Sequence, residues 1–174
     1  MRIACISDRG GKSPLSEDLW RRMRGLAETR GHTLQRVELD HGETSSCTGC
    51  LKCWEAPRRE CVSQDQIGGL TRNKLVAELA IYLAPVVFGT SNSTVKNAID
   101  RGGLLFAGRT TAQVVIGYAE DMDAEERSTF LDIVAKHRGD NNVVHPESRE
   151  TVWVFATRSS RDNEYICRRL GDIL

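Results

Sequence analysis

The chain of 174 residues has no excess of charge. Its 24 lysines and arginines balance 24 aspartates and glutamates, so no overall basic field favours nucleic acid. Long hydrophobic runs are missing as well. The first stretch, Arg2 to Ser7, covers six residues before charge returns; that is too short for the apolar core of a secretory leader, and no later stretch approaches bilayer-spanning length. No repeat, low-complexity segment or internal linker breaks the pattern. The four histidines, His32, His41, His137 and His145, share no spacing and read as surface or loop residues, so no catalytic triad is visible. These absences leave a protein with no membrane or nucleic-acid partner, expected in the cytoplasm. A hydrophobic fraction of 40% and a mean hydropathy of −0.38 fit one soluble domain over residues 1–174, large enough to bury a core unaided.

What the chain does have is cysteine, concentrated in one place. Of six cysteines, Cys47, Cys50 and Cys53 stand at strict two-residue gaps, and Cys61 follows after seven more residues. Four thiolates this close can converge on one soft metal centre. Other outcomes share the spacing: positions i, i+3 and i+6 lie on one broad helix face and suit buried packing, and four thiolates also suit zinc. Disulfides are disfavoured in a reducing compartment. A cluster, a zinc ion and unmetallated thiols all stay open here. Cys5 and Cys167 lie in regular elements and read as small buried apolar residues.

Strand and helix alternate along the chain. Ile3 to Ile6 predicts a strand that ends at Ser7 to Gly11. Leu15 to Thr29 predicts a helix, with Leu15, Leu19, Met23 and Leu26 at helical spacing. Gly31 ends it, and Thr33 to Leu39 alternates as a second strand. Glu43 to Ser63 is a long irregular connection of a length that is usually functional. Part of Asp65 to Lys74 is helical, and Leu79 to Val87 is a nearly continuous apolar run expected of a strand buried on both faces. Thr94 to Arg101, Ala124 to Lys136 and Asp162 to Leu174 predict helices; Gln113 to Tyr118 and Val152 to Ala156 predict strands. Five strands interleaved with helices give a parallel α/β sandwich. In such sheets ligands sit at the carboxyl ends of strands. Here those ends, Ser7 to Ser16, Ala84 to Ser93 and Tyr118 to Asp123, carry the polar and glycine-rich residues, and the cysteine loop follows the second strand on the same rim.

The first of these loops offers an anion the N–H groups of a helix start, the hydroxyls of Ser13 and Ser16, and the charges of Arg9 and Lys12. An ordinary turn whose serine caps the helix would look alike. Gly11-Lys12-Ser13 matches a nucleotide-triphosphate loop only in part, because the first glycine of that motif falls at Ile6 and Pro14 removes an N–H. The second loop, Ala84 to Ser91, can meet the polar edge of a heterocycle with backbone amides and its face with Phe88, unless Phe88 is plain core. Tyr118 either packs on a planar ligand or fills an edge. Lys96 and Asp100 form an exposed pair worth little, and Arg101 closes their helix.

In this order the residues resemble the flavodoxin-like, NAD(P)H-dependent FMN reductase superfamily, and most closely its iron–sulfur flavoprotein branch. The resemblance runs from Ile3 to the final helix. It rests on the Ser-rich loop after the first strand, Cys47-x2-Cys50-x2-Cys53-x7-Cys61, Ala84-Pro-Val-Val-Phe-Gly89 and Val95-Lys-Asn-Ala-Ile-Asp-Arg101. It implies a flavodoxin-like three-layer sandwich, a five-stranded parallel sheet with a cysteine-rich insertion at 43–63. It places the FMN phosphate at Ser7, Arg9, Lys12, Ser13 and Ser16. The isoalloxazine falls along Pro85, Val86, Val87, Phe88, Gly89 and Thr90, with Tyr118 and Ala119 as a third contact. Cys47, Cys50, Cys53 and Cys61 fall on the ligand positions of a 4Fe–4S cluster. Two departures stand out. The loop reads Ser7-Asp8-Arg9-Gly10 where the family opens with Gly-Ser-Pro-Arg, so that Asp8 sets an anion beside the phosphate unless it points outward; and the acidic pair after the last cysteine is reduced to Gln64-Asp65-Gln66.

The implied activity is electron transfer by FMN, through the cluster, between a small-molecule or protein donor and an acceptor, in a homodimer or homotetramer. NAD(P)H is the implied donor for a cluster-free FMN or quinone reductase. The alternative from another class is a non-enzymatic zinc-binding interaction module.

Overall fold

Continuous burial of the central strands, on both faces, sets the architecture. In the computed structural model, which describes residues 1–55, 60–72, 77–101, 112–139 and 151–174, strand β1 (Arg2–Asp8) lies between β2 (Thr33–Leu39) and β3 (Leu79–Val87). Beyond β3 come β5 (Ala112–Tyr118) and β6 (Thr151–Thr157), all parallel, in the order β2-β1-β3-β5-β6. A two-residue strand, β4 (Thr90–Ser91), turns back antiparallel on β3 and was not expected from the sequence. Helix α1 (Pro14–Thr29) connects β1 to β2; α2 (Lys52–Glu55) and α3 (Gln66–Arg72) precede β3; α4 (Ser93–Asp100) follows β4; α5 (Ala124–Gly139) and α6 (Ser160–Ile173) follow β5 and β6. The end of the helix expected over Asp65 to Lys74 lies outside the described residues, as do residues 56–59 of the cysteine segment and His145.

Alternate residues of β1 and β3 serve the two faces. Ile3, Cys5, Leu79, Ile81 and Leu83 pack with Leu15, Leu19, Met23 and Ala27 of α1 and Ile166 and Leu170 of α6. Ala4, Ile6, Ala80, Tyr82, Ala84 and Val86 pack with Ile67, Val95, Ala98, Phe130 and Val134 of α3, α4 and α5. Apolar residues on both faces are what a parallel sheet covered by helices requires. In α1 the fourth buried apolar position is Ala27, with Leu26 only partly buried. Cys5 is buried, and its thiol is pushed up to about 12 by desolvation; Cys167 is only half-buried, its thiol pushed up to about 11 for the same reason.

The chain leaves β1 to one side through α1 and returns on the other side with β3, so the carboxyl ends of β1 and β3 flank the topological switch point, the place where sheets of this kind form a ligand crevice. No helix among the described residues is long and apolar enough to cross a membrane.

One close approach holds α5 to the sheet. A Cβ at Gly117 would lie 2.5 Å from Phe130 Cε1 and 2.7 Å from Val86 Cγ2. Gly117→Ala should therefore destabilise the fold by about 1–3 kcal/mol through overpacking, read as a lower urea midpoint at unchanged slope. An unaltered midpoint would mean that α5 is not seated this closely.

Candidate functional site

The crevice is floored by the β1–α1 loop, whose groups are tied down from several sides. Ser13 caps α1, its hydroxyl accepting from Ser16 N–H while the Ser16 hydroxyl accepts from Ser13 N–H. Pro14 follows at the first helical turn, where a missing N–H costs nothing. Lys12 Nζ pairs with Glu38 at 2.6 Å and Arg9 with Asp40 at 3.3 Å. Ser7 is buried and its hydroxyl accepts from Arg36 Nε at 3.3 Å. Arg36 also forks onto the Glu17 carboxylate at 2.6 and 3.1 Å. Tyr118 donates its hydroxyl to Gly11 O at 2.7 Å, and Pro85 covers Gly11 so closely that a Cβ there would meet Pro85 Cγ at 2.4 Å. Tyr118 is thus an anchor beneath the loop, buried, with desolvation pushing its hydroxyl up to about 12. Ala119 is half-buried and donates its N–H to Thr157 O.

Asp8 does not point outward. It is 7% exposed, with its carboxylate accepting from Gly10 N–H at 3.0 Å and from Asn92 Nδ2 at 2.5 Å. The same Asn92 caps α4 by accepting from Val95 N–H and donates its own N–H to Pro85 O. One asparagine therefore joins the first loop, the end of β3 and the start of α4.

The wall of the crevice is a tight hairpin. Val86 pairs with Ser91 and Val87 with Thr90, leaving Phe88 and Gly89 as the two turn residues, at φ 49° and 72°. Positive φ at both central positions defines the turn that matches strand twist, and glycine or asparagine normally fills it. Phe88 instead holds an unfavourable backbone and is 90% exposed, with Val87 exposed beside it. It is not a core residue. Gly89 is buried against Thr129 of α5.

The cysteine segment joins the rim through a buried ion pair. Arg101, 3% exposed, forks onto Asp65 at 2.6 and 2.9 Å, donates to Ser45 O at 3.1 Å and to Cys61 Sγ at 3.0 Å. Asp65 also accepts from Ser45 N–H and hydroxyl and from Gly68 N–H, each at 2.9 Å. Burial would raise the Asp65 carboxyl, but the bonds from Arg101, Gly68 and Ser45 hold it well below the usual carboxylate range. Lys96 and Asp100 form the exposed pair expected, at 2.5 Å. The role of Arg101 was not legible: an arginine at a helix end reads as solvated. Cys47 and Cys50 are exposed, Cys53 and Cys61 half-buried. The Lys52 N–H lowers the Cys50 thiol, whereas burial, and then the charges of Cys61, Cys47 and Cys50, raise Cys53. Among the described residues, however, no three His, Cys, Asp or Glu side chains form a group able to hold a metal ion. As it stands the loop does not fit a four-thiolate cluster.

A flavin fits the other half of the rim better. The N–H groups of Gly11 and Leu15 have no hydrogen-bond partner among the described residues, which suits the oxygens of a phosphate at a helix start, and the exposed ring of Phe88 suits a flat heterocycle.

No family model and no curated protein matches the chain in sequence. Solved structures do match in fold. An NAD(P)H:quinone oxidoreductase from Methanothermobacter marburgensis superposes with a TM-score of 0.62 at 12% identity, covering 98% of this chain and 94% of that one. An oxidoreductase from Corynebacterium diphtheriae gives 0.53 at 16%, covering 99% and 93%. Oxidised flavodoxin 1 from Bacillus cereus gives 0.50 at 11%, covering 99% and 95%. The fold is therefore flavodoxin-like, as the resemblance implied, and the α/β sandwich about a parallel sheet is the one the strand and helix pattern predicts.

Replacing Asp65 by Ala would strand the Arg101 charge in the interior and should cost about 3–5 kcal/mol, measured by chemical denaturation. Because the folded carboxyl lies below its unfolded value, the stability it contributes is complete above about pH 4 and is lost as pH falls further. The wild-type urea midpoint should drop on acidification through that range. A pH-insensitive midpoint would contradict the ion pair.

Proposed function

We propose that the chain is a flavin-binding oxidoreductase that takes FMN-type flavin in the crevice between the carboxyl ends of β1 and β3. The observation that carries this reading is Phe88: an aromatic held at φ 49° and 90% exposed at the switch point of the sheet. Strain of this kind persists where a site makes use of it. The fold shared with a quinone oxidoreductase supports the same reading.

In this proposal the ring lies along Pro85, Val86, Val87, Phe88, Gly89 and Thr90. The phosphate end faces Arg9, Lys12, Ser13 and Ser16 and the unpaired N–H groups of Gly11 and Leu15. Ser7, Tyr118 and Ala119 act from beneath, Tyr118 by fixing the carbonyl of Gly11. Bound flavin supplies hydride acceptance and release of electrons singly or in pairs. The protein binds, orients and shields; no side chain is required as nucleophile or general acid. NAD(P)H is the proposed donor and a quinone or free flavin the class of acceptor. The cysteine loop takes no step in this mechanism. A cluster there is the finer form of the reading; the resemblance of the cysteine spacing alone favours it, and the loop as folded does not gather the four thiols.

Protein purified without oxygen, or reconstituted with FMN, should show flavin absorption bands, and a colourless protein that takes up no flavin would overturn the proposal. Iron and sulfide assayed on the same sample decide the loop: about four of each per chain would add the cluster, and their absence would leave a plain flavin reductase. Phe88→Ala should weaken flavin binding roughly ten-fold, the scale of one aromatic stacking contact, with the far-ultraviolet circular dichroism unchanged.

A further inference from the structure

Charge around the β1–α1 loop is already balanced before any ligand arrives. Arg9 is paired with Asp40, Lys12 with Glu38, and Arg36 with Glu17 and Glu38. An additional carboxylate, Asp8, lies inside the loop with no cation as its partner. It is held by the N–H of Gly10 and the amide of Asn92, and its Oδ2 stands 3.3 Å from where a Cβ of Gly11 would be. Asp8 takes one loop N–H, that of Gly10, and leaves the donors at the helix start open. It nevertheless sets a fixed negative charge beside the place where such a loop would hold a phosphate.

We propose that Asp8 is the specificity-determining residue of the flavin site: its carboxylate sets a fixed negative charge beside the phosphate position, so the chain holds a flavin by its ring and gains little from a 5′-phosphate. The proposal rests on the flavin reading above and names the ligand class it favours, flavins with an uncharged ribityl end at least as well as the phosphorylated form. A dianionic phosphate brought to Gly11 and Leu15 meets Asp8 across a few ångströms of partly desolvated loop, where like charges repel far more than in water. The cations that would relieve this repulsion are engaged by Glu38 and Asp40. The flavin is then readily exchanged, and its phosphate is not the handle that retains it.

The test is a pair of binding titrations on the intact chain, following quenching of flavin fluorescence by riboflavin and by FMN. The native protein should bind the two within about threefold of each other, and Asp8→Asn, which removes the charge and keeps the shape, should shift the ratio toward FMN by roughly ten-fold or more. Asp8→Ser serves if the Asn variant does not fold, and the native ratio needs no variant. A native preference for FMN of about a hundredfold, or a ratio that the substitution does not move, would overturn the role of Asp8 and leave the flavin reading standing. Binding of neither flavin to the native chain would overturn the flavin reading, and the proposal with it.

Discussion

Burial of β3 on both faces is the constraint from which the molecule follows. A strand that presents Leu79, Ile81 and Leu83 to one side and Ala80, Tyr82, Ala84 and Val86 to the other must be flanked by strands and roofed by helices above and below. The only polar outlets of such a strand are its ends. At the carboxyl end pairing with β5 stops at Pro85; Val86 and Val87 pair instead with Ser91 and Thr90, and the chain doubles back through β4. The crevice beside β1 is thus a by-product of packing, and its chemistry is set by whatever side chains the emerging loops carry.

Those loops are tied to one another more than to solvent. Asn92 spends its backbone N–H on Pro85, its side-chain oxygen on Val95 and its side-chain nitrogen on Asp8. Arg101 does the same for the cysteine segment, gathering Ser45, Cys61 and Asp65. Both are single polar residues at the two ends of α4. This short helix, from Ser93 to Asp100, therefore positions two loops that are far apart in sequence. A rim cross-braced in this way is preorganised, which lowers the entropic cost of ligand binding.

Much of the scaffold was legible because it depends on periodicity. Thr33–Leu39 and Leu79–Val87 emerge with the boundaries their patterns imply, and β1, β5 and β6 extend by no more than two residues at either end, whereas the two-residue β4 has no periodic signal. The site was less legible, because its outcome turned on which of two partners a polar group chose. Ser13 and Ser16 have the hydroxyls of a phosphate loop, yet they satisfy each other. Asp8, readable as outward-facing, turns under the loop because two N–H donors wait there. Tyr118 offers a ring that a planar ligand could use, but its hydroxyl reaches Gly11 and its ring stays covered. Asp65 and Arg101 lie 36 residues apart, and no local pattern announces that they meet. Hydrophobic spacing is a property of neighbours along the chain, whereas these choices are made between loops.

The hairpin tip carries a consequence for how this chain balances its stability. An L-residue in the left-handed region costs roughly 1–2 kcal/mol relative to one that avoids it, and the nearly bare ring of Phe88 recovers little of that from the fold. Glycine at the same position would relieve the backbone and give a sturdier protein. The fold and the crevice thus make opposed demands on one residue. A screen for thermal tolerance alone would remove the aromatic, and with it the face the molecule presents to a ligand.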